Sequence, residues 1–291
     1  MLFEDTDNDD QSQAVLSKGI ALCERNRLTD LKYSMQHLLA RVMFKTNPKA
    51  AYKMIENLLP DIEAYNHVQW IYAFRFLRVS LSLRSPQAEI NAALQHLRVV
   101  SSLAEGHRHI PLLVISLVTE TLLQIQVGTP ESVELAQRAL AAAKRFQLHE
   151  SLVQVPQLMA MVKILDLACE LVFSTAGQDK SRMATMQEMM DSANRSTEWG
   201  ADGIFAVPTT LPAPEELAED ANGIFRRDAS GCYALVFGWL RKTELYSTGY
   251  LLSAVVSLQR NCLDERQEKY LKEGIKMTDG KSKCRGRINA Y

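Results

Sequence analysis

A chain of 291 residues that is 47% hydrophobic and 23% charged can bury a sizeable core as one large domain or two ordinary ones, which excludes disorder throughout. Thirty-three basic against 34 acidic residues leave a net charge of −1, so no global field draws nucleic acid or an anionic membrane, and such contacts would have to be local. The longest largely apolar stretch, 110–118 with a proline and a serine inside it, is well short of the roughly 18 residues that suggest a membrane span, so no membrane crossing is expected.

The amino terminus, MLFEDTDNDDQSQ, is acidic and lacks the basic region and apolar core of a secretory signal. Residues 1–12 are expected to form a solvated, flexible tail. Five cysteines (Cys23, Cys169, Cys232, Cys262 and Cys284) include no C-x-x-C pair, and their odd number points to reduced thiols in the cytosol or nucleus.

From Thr29, apolar residues at Leu31, Met35, Leu38, Leu39, Val42 and Met43 keep the spacing of one helix face. Asn47 is placed to cap the next helix with Pro48 at its first position, where a missing amide costs nothing. Ala51, Ile55 and Leu58 are its expected inward stripe, and Pro60 its expected end. The same start recurs at Ser85–Pro86, with Ile90, Leu94 and Leu97 inward, and at Thr129–Pro130, with Val133, Ala136, Leu140 and Ala143 inward.

The intervening segments, 67–83 and 110–127, are apolar on nearly every face and read as helices covered on most sides. Covered and amphipathic helices in alternation, with proline starts 38 and 44 residues apart, point to stacked helical hairpins of the tetratricopeptide or HEAT kind. A plain helical bundle would not need a recurring start signal. Two further hairpins are expected, from about Glu150 to Asn194 and from about Thr243 to Met277. Between them an irregular insertion at about 196–233 holds three of the nine prolines, and short β-prone runs around DASG suggest a small β-hairpin.

Several catalytic or ligand motifs nearly occur. GIKMTDGKS (274–282) resembles a phosphate loop, but five residues separate its glycines where the motif has four, and a helix precedes it. DTDNDD (5–10) starts like a calcium loop, yet Asp10 stands where glycine is required and Leu16 where glutamate is. His107 and His109 have no other histidine or cysteine at ligand spacing. No nucleophile elbow, H-E-x-x-H or G-x-G-x-x-G is present, so no catalytic, metal, cofactor or small-molecule site is expected.

Arg75, Arg78 and Arg84 lie among Trp70, Tyr72, Phe74 and Phe76. Such a group can be a stacking and phosphate surface for nucleic acid, a solvated helix edge, or an anchor for acidic residues of a partner. Residues 278–291, ending in KSKCRGRINAY, are basic and lack periodicity, and are expected to be a flexible tail.

Six separated blocks (LKYSMQHLLARVMFKTNPKAA, WIYAFRFLRVSLSL, VPQLMAMVKILDLACELV, MQEMMD, WGADGIFAVP and LVFGWLRKTELYSTGYLLS) resemble the fungal cohesin-loading factor family, the tetratricopeptide-like subunit of the cohesin loader. The similarity runs from about Ile20 to Met277. It implies an all-α superhelical solenoid and a nuclear, chromatin-associated, non-enzymatic scaffold. Such a scaffold wraps the extended amino-terminal segment of the large loader subunit and supports cohesin loading and sister chromatid cohesion. Trp70, Tyr72, Phe74, Arg75 and Arg78 are expected to contact that partner, because aromatic and arginine side chains dominate interface energy. Trp199 and Trp239 are expected to anchor the insertion and the helix after it. Family members are longer, and the resemblance gives way near Met277 to TDGKSKCRGRINAY, so the chain reads as a middle piece. The alternatives are a general helical-repeat interaction module and a local nucleic-acid-binding surface.

Overall fold

The computed structural model describes residues 8–85, 89–173, 179–196, 199–212, 223–227, 231–260 and 265–279. Among them are twelve helices and three strands: α1 (Asp9–Arg25), α2 (Thr29–Thr46), α3 (Pro48–Ala64), α4 (Val68–Arg84), α5 (Ile90–Gly106), α6 (Ile110–Val127), α7 (Pro130–Lys144), α8 (Glu150–Val153), α9 (Pro156–Phe173), α10 (Asp179–Arg195), β1 (Ile204–Pro212), β2 (Phe225–Arg227), β3 (Cys232–Gly238), α11 (Lys242–Arg260) and α12 (Arg266–Asp279). The fold is all-α, of the tetratricopeptide-like helical-hairpin solenoid class, with a small sheet in its insertion. The chain divides into two compact units, one of residues 1–112 and 206–236, the other of residues 113–205 and 237–291.

In the first unit each helix packs on the next from α1 to α5, and α2 also touches α4, as stacked hairpins require. Three of the turns are built alike. Arg27, Asn66 and Arg108 have φ of 58°, 53° and 58°, each two residues after a helix ends and two before the next begins. In each turn the following amide reaches back to the final helical turn: Leu28 N–H to the Cys23 carbonyl, His67 to Ile62 and His109 to Ala104. These are Schellman closures in which a non-glycine residue holds the left-handed position. The physical repeat is therefore this turn, spaced 39 and 42 residues apart. Glycine carries no Cβ penalty there, so Arg27→Gly is expected to raise the unfolding free energy by about 0.5–1 kcal/mol. Urea unfolding of that variant checks this, and a loss of stability would refute it.

The proline starts fare unevenly. The Asn47 side chain accepts from the Ala50 amide and the Thr129 side chain from the Ser132 amide, each with proline next in line. The third start does not stand: α5 begins at Ile90 with Glu89 as its cap, Ser85 closes α4 in extended conformation, and Pro86 lies outside the described residues. Nor does Pro60 end α3, which continues to Ala64 with the proline inside it. Residues 9–12, expected in the acidic tail, instead begin α1, which buries Ser12, and residues 1–7 lie outside the described residues. At the other end α12 continues through Asp279, and residues 280–291 lie outside the described residues.

The insertion is more regular than its prolines suggest. Its sheet has the order β1-β3-β2. The hairpin expected around DASG is present: β2 and β3 pair antiparallel with Phe225 opposite Leu235 and Arg227 opposite Tyr233. Strand β1 was not anticipated. It alternates inward residues Phe205, Val207 and Thr209 with less buried neighbours, and Pro208 is accommodated because β1 is an edge strand.

In the second unit α9 packs on α7, α8, α10 and α11, and α10 and α12 pack on α11. Met189, Ala193, Trp199 and Leu245 share a core with Ala160 and Ile164. Trp199 is 3% exposed and donates from Nε1 to the Leu240 carbonyl at 3.0 Å, fastening the start of the insertion to the approach of α11. Gly203, with φ +74°, allows this closure: a Cβ there would stand 2.9 Å from Arg241 N and 3.0 Å from the Trp239 carbonyl. Trp239 itself is half-buried, and its amide donates to Gly203 O.

Helix α6 is long and apolar enough to span a membrane by length and composition, and most of it is buried inside the protein. Packing within a helical array accounts for such a segment as well as a bilayer does.

Candidate partner-binding region

The residues singled out in the sequence converge on α4, whose buried residues occur on nearly every face. Trp70, Tyr72 and Phe74 have 0% exposed surface. Trp70 meets the edge of Phe225 at 4.9 Å between ring centroids, Phe225 meets Tyr233 at the same distance, and Tyr33 and Phe74 close the group at 5.6 and 6.1 Å from Trp70. The indole Nε1 donates to Asp30 Oδ1 at 2.6 Å. This seam joins α2, α4 and the β2–β3 hairpin. The expectation that these three aromatics face a partner is therefore corrected: they are core, Trp70 packed against Tyr33, Phe74 and Phe225, Phe74 also against His37, and Tyr72 against His109.

Arg75 and Arg78 are also inward. Arg78 is 3% exposed, yet every nitrogen of its guanidinium has an acceptor: Nε donates to Glu56 at 3.2 Å, Nη1 to the Ser82 hydroxyl and Nη2 to Glu89. Its Cζ stands 3.7 Å over the Tyr52 ring. Arg75 donates to Glu63 and to His96 Nδ1, the latter at 3.1 Å. Since the guanidinium only donates, His96 Nδ1 accepts, and its Nε2–H donates to Glu56 at 3.0 Å. Burial, opposed by Glu56, holds the His96 pKa below its ordinary value, consistent with a neutral ring. The cluster of Arg75, Arg78, Glu56, Glu63 and Glu89 thus holds one more negative than positive charge. That balance disfavours phosphate contact at this site.

His109, at the third turn, ties α4 to β1. The Thr210 amide donates to its Nε2 at 3.4 Å and the Thr210 hydroxyl lies 2.9 Å away, so Nδ1 carries the proton and donates to Tyr72 Oη at 3.1 Å. Burial, with stacked His107 adding to it, pulls the His109 pKa down to about 4. His37, against Phe74, is pulled down to about 3 by burial and by Arg41. The unfolded chain binds these protons near pH 6.5 and the folded one does not. Stability is therefore complete above about pH 6.5 and falls as pH drops toward 4. Urea titrations at pH 7 and pH 5 should show wild type losing more stability than His109→Asn between the two; equal losses would contradict this.

Among the described residues no group of three His, Cys, Asp or Glu could hold a metal ion, and both His109 nitrogens are engaged in hydrogen bonds. The carboxylates that matter, Glu56 and Glu63, went unnoticed in the sequence. Their seven-residue spacing puts both on one side of α3, opposite Arg75 and Arg78, which is the signal that could have paired them.

A family model described as cohesin loading factor matches residues 1–289. The match extends over both terminal stretches, so the similarity does not stop near Met277 as the resemblance alone suggested. No curated protein and no solved structure matches the chain.

Proposed function

Because the chain belongs to the cohesin loading factor family and so has its role in cohesin loading, we propose that it serves there as a non-enzymatic adaptor in the nucleus, receiving the extended amino-terminal segment of the large loader subunit. The family match over residues 1–289 carries this reading. Stacked hairpins support it, since they present long surfaces on which an extended segment orders many residues at once. The charge balance around Arg75 and Arg78 favours a protein partner over nucleic acid. With Trp70, Tyr72 and Phe74 in the core, α4 supports the binding surface from beneath, and contact falls to more exposed residues of neighbouring helices.

Depletion of the protein should lower chromatin-bound cohesin severalfold, with recovery on re-expression. An unchanged cohesin load on chromatin after depletion would sink the reading.

A further inference from the structure

Helices α10, α11 and α12 line a cleft of about 220 Å³ in the second unit. From α10 come Gln187, Asp191 and Asn194, an exposed stripe at four-and-three spacing; from α11 come Tyr246 and Tyr250, one turn apart; from α12 comes Tyr270, and all three tyrosines are half-buried. Gly249 lets α10 and α11 close tightly here. A Cβ on it would stand 3.1 Å from Sδ of Met190, which also lines the cleft and whose main-chain carbonyl accepts from the Tyr246 hydroxyl at 3.3 Å. Burial, with Asp191 and Tyr250 close by, pushes the Tyr246 phenol above its ordinary pKa, so these three groups stand near one another. Among the described residues that line the cleft, Asp191 is the one charged group and none is basic. Its carboxylate Oδ1 accepts from the Gln187 Nε2 at 3.0 Å, while Arg195 donates to the Asp191 main-chain carbonyl instead of to the carboxylate. Asp191 is thus an exposed anion that no cation among the described residues pairs with.

We propose that this cleft takes a lysine side chain of a protein segment, with Asp191 meeting the ammonium and Tyr246, Tyr250 and Tyr270 surrounding it. The occupant follows from the lining. Tyrosine rings attract a cation electrostatically while packing against the methylenes that carry it. An ammonium brings three donors and no acceptor, which suits a carboxylate beside the Gln187 and Asn194 carboxamide oxygens. A guanidinium fits less well, because its planar fork is matched by both oxygens of a carboxylate and Oδ1 already holds the Gln187 amide. The cleft rests on the adaptor reading and names one side chain by which the segment is held.

The test uses the full chain and overlapping synthetic peptides spanning the amino-terminal segment of the large loader subunit from the same species. One peptide should bind through a single lysine, whose replacement by glutamine weakens binding about tenfold. Asp191→Asn should weaken the unaltered peptide about fivefold and leave the glutamine form unchanged, so that the two substitutions are not additive. Because Asp191 is exposed, its Tm should stay within about 1 °C of wild type. Tyr270→Leu, which removes one ring, should likewise weaken the lysine peptide severalfold and spare the glutamine form. Equal weakening of both peptide forms by Asp191→Asn would overturn the lysine pairing. Wild-type binding that depends on no lysine, or that Asp191→Asn leaves unchanged, would overturn the cleft and leave the adaptor reading standing, whereas no wild-type binding to any peptide would overturn both.

Discussion

Trp70→Ala should cost the first unit about 3–5 kcal/mol, the range for truncating a fully buried large aromatic. Trp70 has no exposed surface and lies against Tyr33, Phe74 and Phe225, so the substitution opens a cavity where α2, α4 and the β2–β3 hairpin meet. It also removes the indole donor to Asp30. Urea unfolding measures the loss, and amide exchange should show the hairpin opening first, because Phe225 and Tyr233 reach α4 through this ring. A variant with wild-type stability and weakened partner binding would mean that Trp70 is a surface contact after all.

Arg78→Ala is expected to cost about 2–3 kcal/mol. A guanidinium that is 3% exposed donates to two carboxylates and a hydroxyl while covering the Tyr52 ring. Removing one partner of a fully buried pair costs about 3–5 kcal/mol, since the other charge is stranded. Here the stranded side chains, Glu56 and Glu89, are 46% and 48% exposed and recover hydration, which lowers the expected loss. Arg78→Lys should lose part of this stability, because an ammonium cannot present the planar fork that meets Glu56, Ser82 and Glu89 together. A loss below about 0.5 kcal/mol for Arg78→Ala would restore the solvated-edge reading of this arginine.

The helical order was legible because apolar spacing reports local burial, and burial follows the helix period. Hence α2, α3, α7, the α9–α10 pair and the α11–α12 pair all stand close to where their patterns put them. Proline was a poorer guide. Pro48 and Pro130 occupy first helical positions as expected, while Pro208 sits within an edge strand, where a missing donor is accommodated, and Pro60 sits within α3 although an interior proline removes a helix hydrogen bond. The turns that repeat most faithfully carry arginine or asparagine at positive φ, a conformation that arginine gives no hint of adopting.

The site was less legible for a different reason. Whether an aromatic on an apolar helix is core or surface depends on what covers it, and Trp70 is covered in part by Phe225 of β2, a strand that begins 141 residues after α4 ends. An arginine at helix spacing looks the same whether solvent or Glu56 meets it. Conversely, Gln36 and His37 read as polar positions of an amphipathic helix and are 7% and 8% exposed. Contacts between distant segments decided each of these cases, and no window of local sequence contains them.

The measurement closest to the central claim is a calorimetric titration of the purified chain with the amino-terminal segment of the large loader subunit from the same species, at two salt concentrations. An adaptor of this kind gives saturable one-to-one binding, a negative heat-capacity change from buried apolar surface, and modest weakening by salt. A folded, monomeric chain that ignores the segment, or that binds duplex DNA instead with an affinity falling steeply with salt, would contradict the account.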